Sequence, residues 1–190
     1  MPRYATAIHW FRRDLRLSDN PALFHAAKEA ETVVPVYIQS VWKGAHAWTG
    51  PGRQAFLCGC LASLARNLEH IGGALFCRRG GARAELESLI RETKAEAVYF
   101  NRDPDPYGRA MEATIRELCR EYGIVCHDYQ EAVLHEPHEV LTGSGQPYKV
   151  YTPYSCNWFT LPKTAVLPAV KSLRVPEGIA RGRLPEVADW

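Results

Sequence analysis

Two acids, Asp103 and Asp105, follow directly on the β-rich run Tyr99-Phe-Asn101, where they could accept hydrogen bonds from a polar ring. Asp105 also precedes Pro106, so capping a helix that opens there is an equally good use for it. The run Arg12-Arg13-Asp14-Leu15-Arg16 places three guanidiniums round one carboxylate. Arginine pairs carboxylates bidentately, so a structural network competes with a ligand-facing rim at this point. Gly52-Arg53 stands at the start of a long apolar-periodic stretch, and a helix N-terminus beside a guanidinium favours an anion. The usual phosphate-binding signatures are missing: no GxGxxG follows the first strand and no GxxxxGK[ST] occurs anywhere. His135 and His138 are three apart, but Pro137 between them spoils a helical chelate, and no metal site is expected. The six cysteines include no CxxC pair, and reduced thiols in a cytoplasmic protein are the expectation.

Composition narrows the function classes. Lys and Arg number 23 against 21 Asp and Glu, a formal charge of +2 on 190 residues. A domain that grips a duplex by itself normally carries a strong basic excess, so this chain is not expected to be the main nucleic-acid surface. No segment approaches the ~18 consecutive apolar residues of a membrane span, and the opening Met1–Arg13 has no stretch resembling a signal peptide.

The elements that must position these residues follow from periodicity. Thr6–Trp10, Thr32–Ile38, Ala74–Cys77, Ala95–Phe100 and Ile124–His127 predict five strands. Between them, Pro21–Ala30, the stretch from Pro51, Ala84–Lys94 and the stretch from Pro106 predict helices. In the second of these, Phe56, Leu57, Cys60, Leu61, Leu64, Leu68 and Ile71 form one apolar stripe, read as a buried face ended by Gly72-Gly73. Glu112 and Arg116 have the spacing of a surface ion pair. Pro35 is a flaw in the second strand and implies an edge or a bulge. Gln39–Gly50, with Trp42 and Trp48, shows little periodicity.

This alternation predicts an α/β fold over residues 1–130, a doubly wound five-stranded parallel sheet of Rossmann-like type. Ligands of such sheets bind beyond the carboxyl ends of the strands. That rim comprises Phe11–Asp14, Gln39–Arg53, Arg78–Arg83 and Asn101–Tyr107. Tyr37 and Ile38 could wall a flat ring there, with plain sheet core as the alternative. Residues 131–190 lose the rhythm and read as a short helix, a Gly143–Gly145 turn and an extended linker rich in proline.

Three stretches together resemble the photolyase/cryptochrome family: Trp10-Phe-Arg-Arg-Asp-Leu-Arg-Leu-Ser-Asp-Asn20, Tyr99-Phe-Asn-Arg-Asp-Pro-Asp-Pro-Tyr-Gly-Arg109, and Gly145-Gln-Pro-Tyr-Lys-Val-Tyr-Thr-Pro-Tyr154 with Trp158. The resemblance implies an antenna-binding N-terminal domain of a flavoprotein that splits pyrimidine dimers in damaged DNA by light-driven electron transfer. FAD would lie in a helical C-terminal domain that this sequence does not contain, so the chain alone is expected to be non-catalytic. The partners implied are that FAD domain and, through the full-length protein, damaged DNA. Without the FAD domain, the run from Tyr148 to Phe159 is expected to self-associate as a homodimer unless the tail folds back over it.

Phe11, Tyr37, Ile38, Gly52, Arg53, Asp103 and Asp105 are the expected antenna-contacting residues, Arg53 because the resemblance implies an arginine in this place against the antenna of deazaflavin-binding members. Folate-binding members carry an Asn-Glu pair where this chain has Tyr107-Gly108. The expected order of antenna is therefore 8-hydroxy-5-deazaflavin first, a flavin second and methenyltetrahydrofolate third. The family's electron-hopping tryptophans belong to the other domain, so Trp10, Trp42, Trp48, Trp158 and Trp190 are read as packing or linker residues. Two other functions fit the residues: a cryptochrome-type photoreceptor domain, and a stand-alone small-ligand or nucleotide-binding domain.

Overall fold

A computed structural model describes residues 1–40, 50–136 and 138–189. Trp42 and Trp48, Pro137 and Trp190 lie outside the described residues. The strands are β1 (Tyr4–Phe11), β2 (Ala30–Gln39), β3 (Phe76–Arg79), β4 (Ala97–Asn101) and β5 (Val125–Tyr129). The helices between them are α1 (Pro21–Glu29), α2 (Pro51–His70), α3 (Ala82–Thr93) and α4 (Pro106–Glu121), and α5 (Tyr151–Thr160) follows the sheet. All strand pairs are parallel, in the order β3-β2-β1-β4-β5. The chain winds outward from β1 through β2 to β3, then returns to β4 on the other side. The β1–β4 boundary is therefore the switch point, where loops leave in opposite directions and open a crevice.

Alternation along β1 feeds two cores. Ala7 and Phe11 face Leu23 and Ala26 of α1 and Leu61, Leu64 and Leu68 of α2. Ile8 and Trp10 face Leu86, Leu89 and Ile90 of α3 and Ile115 and Leu118 of α4. Each fully buried leucine among these contributes roughly 1.5–3 kcal/mol relative to an exposed one. The stripe on α2 is buried only in its second half. Leu61, Leu64 and Leu68 are buried, whereas Phe56, a full turn earlier, is 75% exposed. Helical spacing sets a direction on the cylinder, but the sheet ends before the helix does.

Two helices begin as their residues dictate. Asn20 accepts the Leu23 N–H at 3.1 Å, with Pro21 in the first helical position. Asp105 does the same for Gly108, at 2.6 Å, ahead of Pro106. Pro35 is tolerated without an edge or a bulge. Its strand is interior, but β3 starts only opposite Val36. On the β3 side the neighbouring donor two residues earlier, the Val33 N–H, bonds the Arg174 carbonyl at 2.8 Å instead. By alternation the missing Pro35 donor would have pointed to that side, below the start of the β3 ladder.

The helix of the last third comes after the Gly143–Gly145 turn rather than before it, and the segment from Leu161 is not a free linker. It is extended but lies on its own domain. Leu167 and Val170 bond Asp19 and Leu17, Leu173 bonds Ile71, and Arg181 bonds Cys77 through the backbone. Val170 and Leu173 are buried with the α1/α2 core. Gly182, at φ +75°, passes so close that an added Cβ would lie 2.0 Å from the Cys77 carbonyl oxygen. The fold-back leaves α5 bare: Tyr151 and Phe159 are 76% and 72% exposed.

Candidate functional site

The exit of β1 is organised by a buried polar knot. Asp14, 3% exposed, accepts from the Arg12 N–H at 2.9 Å and from the Asn20 and Asn101 side-chain amides at 3.1 and 2.5 Å. Asn101 in turn accepts the Ala22 N–H at 3.1 Å. These bonds tie the β1 exit, the first turn of α1 and the end of β4 into one unit, and they satisfy groups that would be costly to bury alone. Asp14 therefore pairs with amides, not with the arginines around it in sequence.

Those arginines reach acids elsewhere. Arg12 bonds Glu112 at 2.5 Å and the Asn101 carbonyl at 3.1 Å, and its guanidinium lies 4.9 Å from the Trp10 ring centroid. Arg13 bridges Asp103 at 2.9 Å and Asp105 at 2.5 Å. Arg16 pairs with Glu131. The expected Glu112–Arg116 surface pair needs correcting. Its 3.5 Å contact exists, but Glu112 is 2% exposed and turned inward to Arg12 and to the Asp103 N–H, the latter at 2.7 Å. The helical phase of Glu112 points it beneath the β1 exit, which spacing along α4 alone does not reveal.

Over the carboxyl ends of β1, β2 and β3 opens a cavity of about 510 Å³. Trp10, Phe11, Tyr37, Ile38 and Met111 give it an apolar wall, and Arg13 and Asp103 bring charge to its rim. The Gly80-Gly81 turn closes one side by its backbone, and Tyr107 another. Burial pushes the Tyr37 phenol up to about 12, so it stays protonated and can donate a hydrogen bond. A second cavity of similar size lies past β4 and β5, lined by Arg102, Arg109, Glu112, Arg116, Asp128 and Glu136. Its charges largely cancel, since Arg102 holds Asp128 at 2.9 Å and Glu136 at 3.3 Å.

Of the expected contact residues, the structure brings Phe11, Tyr37, Ile38 and Asp103 together around the first cavity. Asp105 does not line it. Its carboxylate caps α4, and the Gly108 N–H it accepts, aided by Arg13, keeps its pKa below the ordinary carboxylate range. Gly52 and Arg53 stand exposed in the first turn of α2 and are not among the residues that line either cavity. Trp10 and Met111 were missed as contacts, whereas Tyr107 and the Gly80-Gly81 turn lie within the expected rim without having been singled out. Met111 could have been found, because its apolar stripe on α4 runs up to the rim. Gly108 has a packing reason: a Cβ there would sit 2.5 Å from the Asp103 Cβ. A side chain at that position, a glutamate included, requires Asp103 or α4 to shift.

Among the described residues no group of histidines, cysteines and acids could hold a metal ion. No helix among them is long and apolar enough to cross a membrane.

The family described as DNA photolyase matches residues 7–172. A deoxyribodipyrimidine photo-lyase of Agrobacterium fabrum is 41% identical over 150 residues, which cover 79% of this chain and 31% of that protein. Cryptochrome-1 of Gallus gallus is 36% identical over 118 residues, covering 62% of this chain and 19% of the relative. Among solved structures, a bacterial class III photolyase from Agrobacterium tumefaciens superposes with a TM-score of 0.86 at 35% identity, covering 100% of this chain and 39% of that one. The chain thus spans well under half the length of each of these relatives. A doubly wound sheet in this strand order, the three sequence stretches and these similarities together place the chain in the DNA photolyase family, as its N-terminal α/β domain.

Proposed function

We propose that this chain is the antenna-chromophore-binding domain of a deoxyribodipyrimidine photolyase and that the cavity at the ends of β1, β2 and β3 holds the antenna. The carrying observation is the character of that cavity: about 510 Å³, apolar on its walls and charged only at its rim. That volume is in the ordinary range for a small-molecule site. Trp10, Phe11, Ile38 and Met111 would pack on a flat ring, Tyr37 would donate to a ring oxygen or nitrogen, and Arg13 with Asp103 would meet polar substituents. When bound, the antenna supplies absorption and passes excitation energy to a flavin. The residues here exclude water and hold it still.

An 8-hydroxy-5-deazaflavin remains the first choice and a flavin the second. The latter gains support from an archaeal photolyase of Sulfolobus tokodaii, described as carrying two FAD molecules with implication of a novel light-harvesting cofactor, and alike in fold at a TM-score of 0.79. Methenyltetrahydrofolate stays third, because the glutamate of folate-binding members at position 108 requires Asp103 or α4 to shift.

The catalytic FAD is not assigned to this domain: it belongs in our reading to a helical domain elsewhere in the protein. The cavity past β4 and β5 is walled by paired charges rather than apolar side chains. That helical domain would meet the bare face of α5, where Val150, Tyr151 and Phe159 are exposed. A second copy of the chain would take that face when the helical domain is missing, which light scattering coupled to size exclusion measures. The free cysteines fit a cytoplasmic location. A cryptochrome reading is kept alive by the matches to cryptochrome-1 proteins.

Fluorescence titration of the purified chain with each of the three chromophores tests the site. Ile38→Arg and Tyr37→Ala should each weaken binding at least tenfold, as expected from losing ~1.5–3 kcal/mol of contact. The same samples should show no repair of a dimer-containing oligonucleotide under blue light. Unchanged affinity in both variants would remove the cavity from the site.

A further inference from the structure

Glu112 serves the proposed antenna cavity without lining it. It points inward from the second turn of α4, with its side chain 2% exposed. Its Oε1 accepts from two segments at once: the Arg12 guanidinium at the exit of β1, at 2.5 Å, and the Asp103 N–H just past β4, at 2.7 Å. Its Oε2 lies 3.5 Å from Arg116, which Asp128 holds at 2.9 Å. A buried carboxylate is costly to desolvate, and an apolar side chain of similar volume would fill the space beneath the β1 exit without that cost. The use of an acid here lies in what it holds.

Asp103 is the one acid among the described residues that line the antenna cavity. Arg13 meets its Oδ2 at 2.9 Å, and its Oδ1 accepts the Asp105 N–H at 3.3 Å. Gly108 lets α4 pass so close that an added Cβ would lie 2.5 Å from the Asp103 Cβ. Of these contacts, the bond to Glu112 is the one that fixes the main chain of Asp103, on which the direction of the carboxylate depends.

We propose that Glu112 is the positioning residue of the antenna cavity, holding the Asp103 carboxylate at the rim in the orientation that meets a hydrogen-bond donor of the chromophore. The inference rests on the reading of the cavity given above. An ionised carboxylate only accepts, so the group it meets is an N–H or O–H of the ring or of its side chain. Misplacing such a group by about 1 Å is costly, and an acid on a loop has that freedom unless a neighbouring element locks it. Arg12, which also bonds the Asn101 carbonyl at 3.1 Å, fixes the glutamate, and the glutamate fixes the loop.

Two substitutions separate this role from that of a buried ion pair. Glu112→Asp keeps a carboxylate beside Arg12 but withdraws it by a methylene from the Asp103 N–H. Glu112→Gln drops the charge but keeps an oxygen for that N–H, with its amide nitrogen turned towards Arg116. Affinity for 8-hydroxy-5-deazaflavin and for riboflavin is measured by fluorescence titration of the full chain, each variant checked for folding by circular dichroism. Glu112→Asp should weaken binding about tenfold, the usual size of losing a supporting partner, and Glu112→Gln should restore it to within about threefold of the parent. In an Asp103→Ala background, Glu112→Asp should change affinity by less than about twofold, because a residue acting through Asp103 has nothing left to act on. In the unsubstituted chain the Asp103 amide should exchange slowly by NMR, a readout that needs no variant. The reverse order, with Glu112→Gln weak and Glu112→Asp unharmed, would show an ion pair and overturn the proposal. So would an equal loss in the Asp103→Ala background, or a fast-exchanging Asp103 amide. A parent that binds neither chromophore would instead remove the cavity as the antenna site, and this inference with it.

Discussion

His9 should make this protein acid-sensitive through one side chain in the middle of its sheet. Its ring is fully buried, edge-on to Phe11 at 4.4 Å, and neither ring nitrogen has a hydrogen-bond partner. Burial lowers its pKa from 6.5 to about 4, against a small opposing pull from Asp14. In the unfolded chain the imidazole takes a proton near its ordinary value, so between those limits the unfolded state binds more protons than the folded one. Stability attributable to His9 is therefore complete above about pH 6.5 and falls as the pH drops towards 4. At about 1.4 kcal/mol per pKa unit the loss approaches roughly 3 kcal/mol, a large part of the ~5–15 kcal/mol of a typical domain. His9→Leu keeps the volume close and removes both unpartnered nitrogens. At pH 7 it should be as stable as the parent or more so, since an unpaired buried polar group costs about 1–3 kcal/mol. Urea unfolding of both proteins from pH 7 to pH 4 measures the difference. Acids such as Glu29 and Asp128, whose pKa values are lowered, titrate in both and cancel in the comparison. The His9→Leu advantage should widen as the pH falls. Stability curves that stay parallel within ~0.5 kcal/mol would show that His9 is not desolvated as described.

Further perturbations address the rim. Glu112→Ala removes the carboxylate shared by Arg12 and the Asp103 N–H and should cost about 3–5 kcal/mol in chemical unfolding, whereas Glu117→Ala on the exposed face of the same helix should stay within ~0.5. Gly108→Ala should destabilise by about 1–3 kcal/mol through overpacking against Asp103 and weaken chromophore binding in the same fluorescence titration. A variant of wild-type stability and affinity would mean that the approach of α4 to Asp103 is looser than 2.5 Å implies.

The order of elements was legible because each strand and helix carries its own local signal. Asn20-Pro21 and Asp105-Pro106 start helices by chemistry confined to neighbouring residues. The parallel sheet then follows from alternation alone. What sequence could not supply was depth and phase against distant elements. Phe56 has the same spacing as Leu64 but projects beyond the sheet, and Glu112 has the same spacing to Arg116 as any surface pair but points inward. The tail was hardest of all. Its contacts to Leu17, Asp19, Ile71 and Cys77 are mostly backbone bonds, which leave no trace in residue type. Val170 and Leu173 are buried in the shared core, but nothing in their residue types or spacing marks them out in so proline-rich a stretch. Among site residues, Phe11, Tyr37, Ile38 and Asp103 were accessible because they occupy the ends of strands. Gly80-Gly81 contributes backbone only, and so gave no chemical cue.

The rim's charge pattern bears on what this domain can recognise. Arg12 is spoken for by Glu112, Arg13 by Asp103 and Asp105, Arg16 by Glu131, and Arg102 and Arg116 both by Asp128. Each pair joins segments far apart in sequence, so the guanidiniums fix the positions of the β1 and β4 exits relative to α4. Charge used in this way is not available to displace counterions from a nucleic-acid backbone, in keeping with the net +2 of the whole chain. It also leaves the cavity floor to Trp10, Phe11, Ile38 and Met111, which recognise shape and flatness rather than charge. A domain with a rigid, self-neutralised rim over an apolar slot is suited to hold a planar chromophore in one orientation.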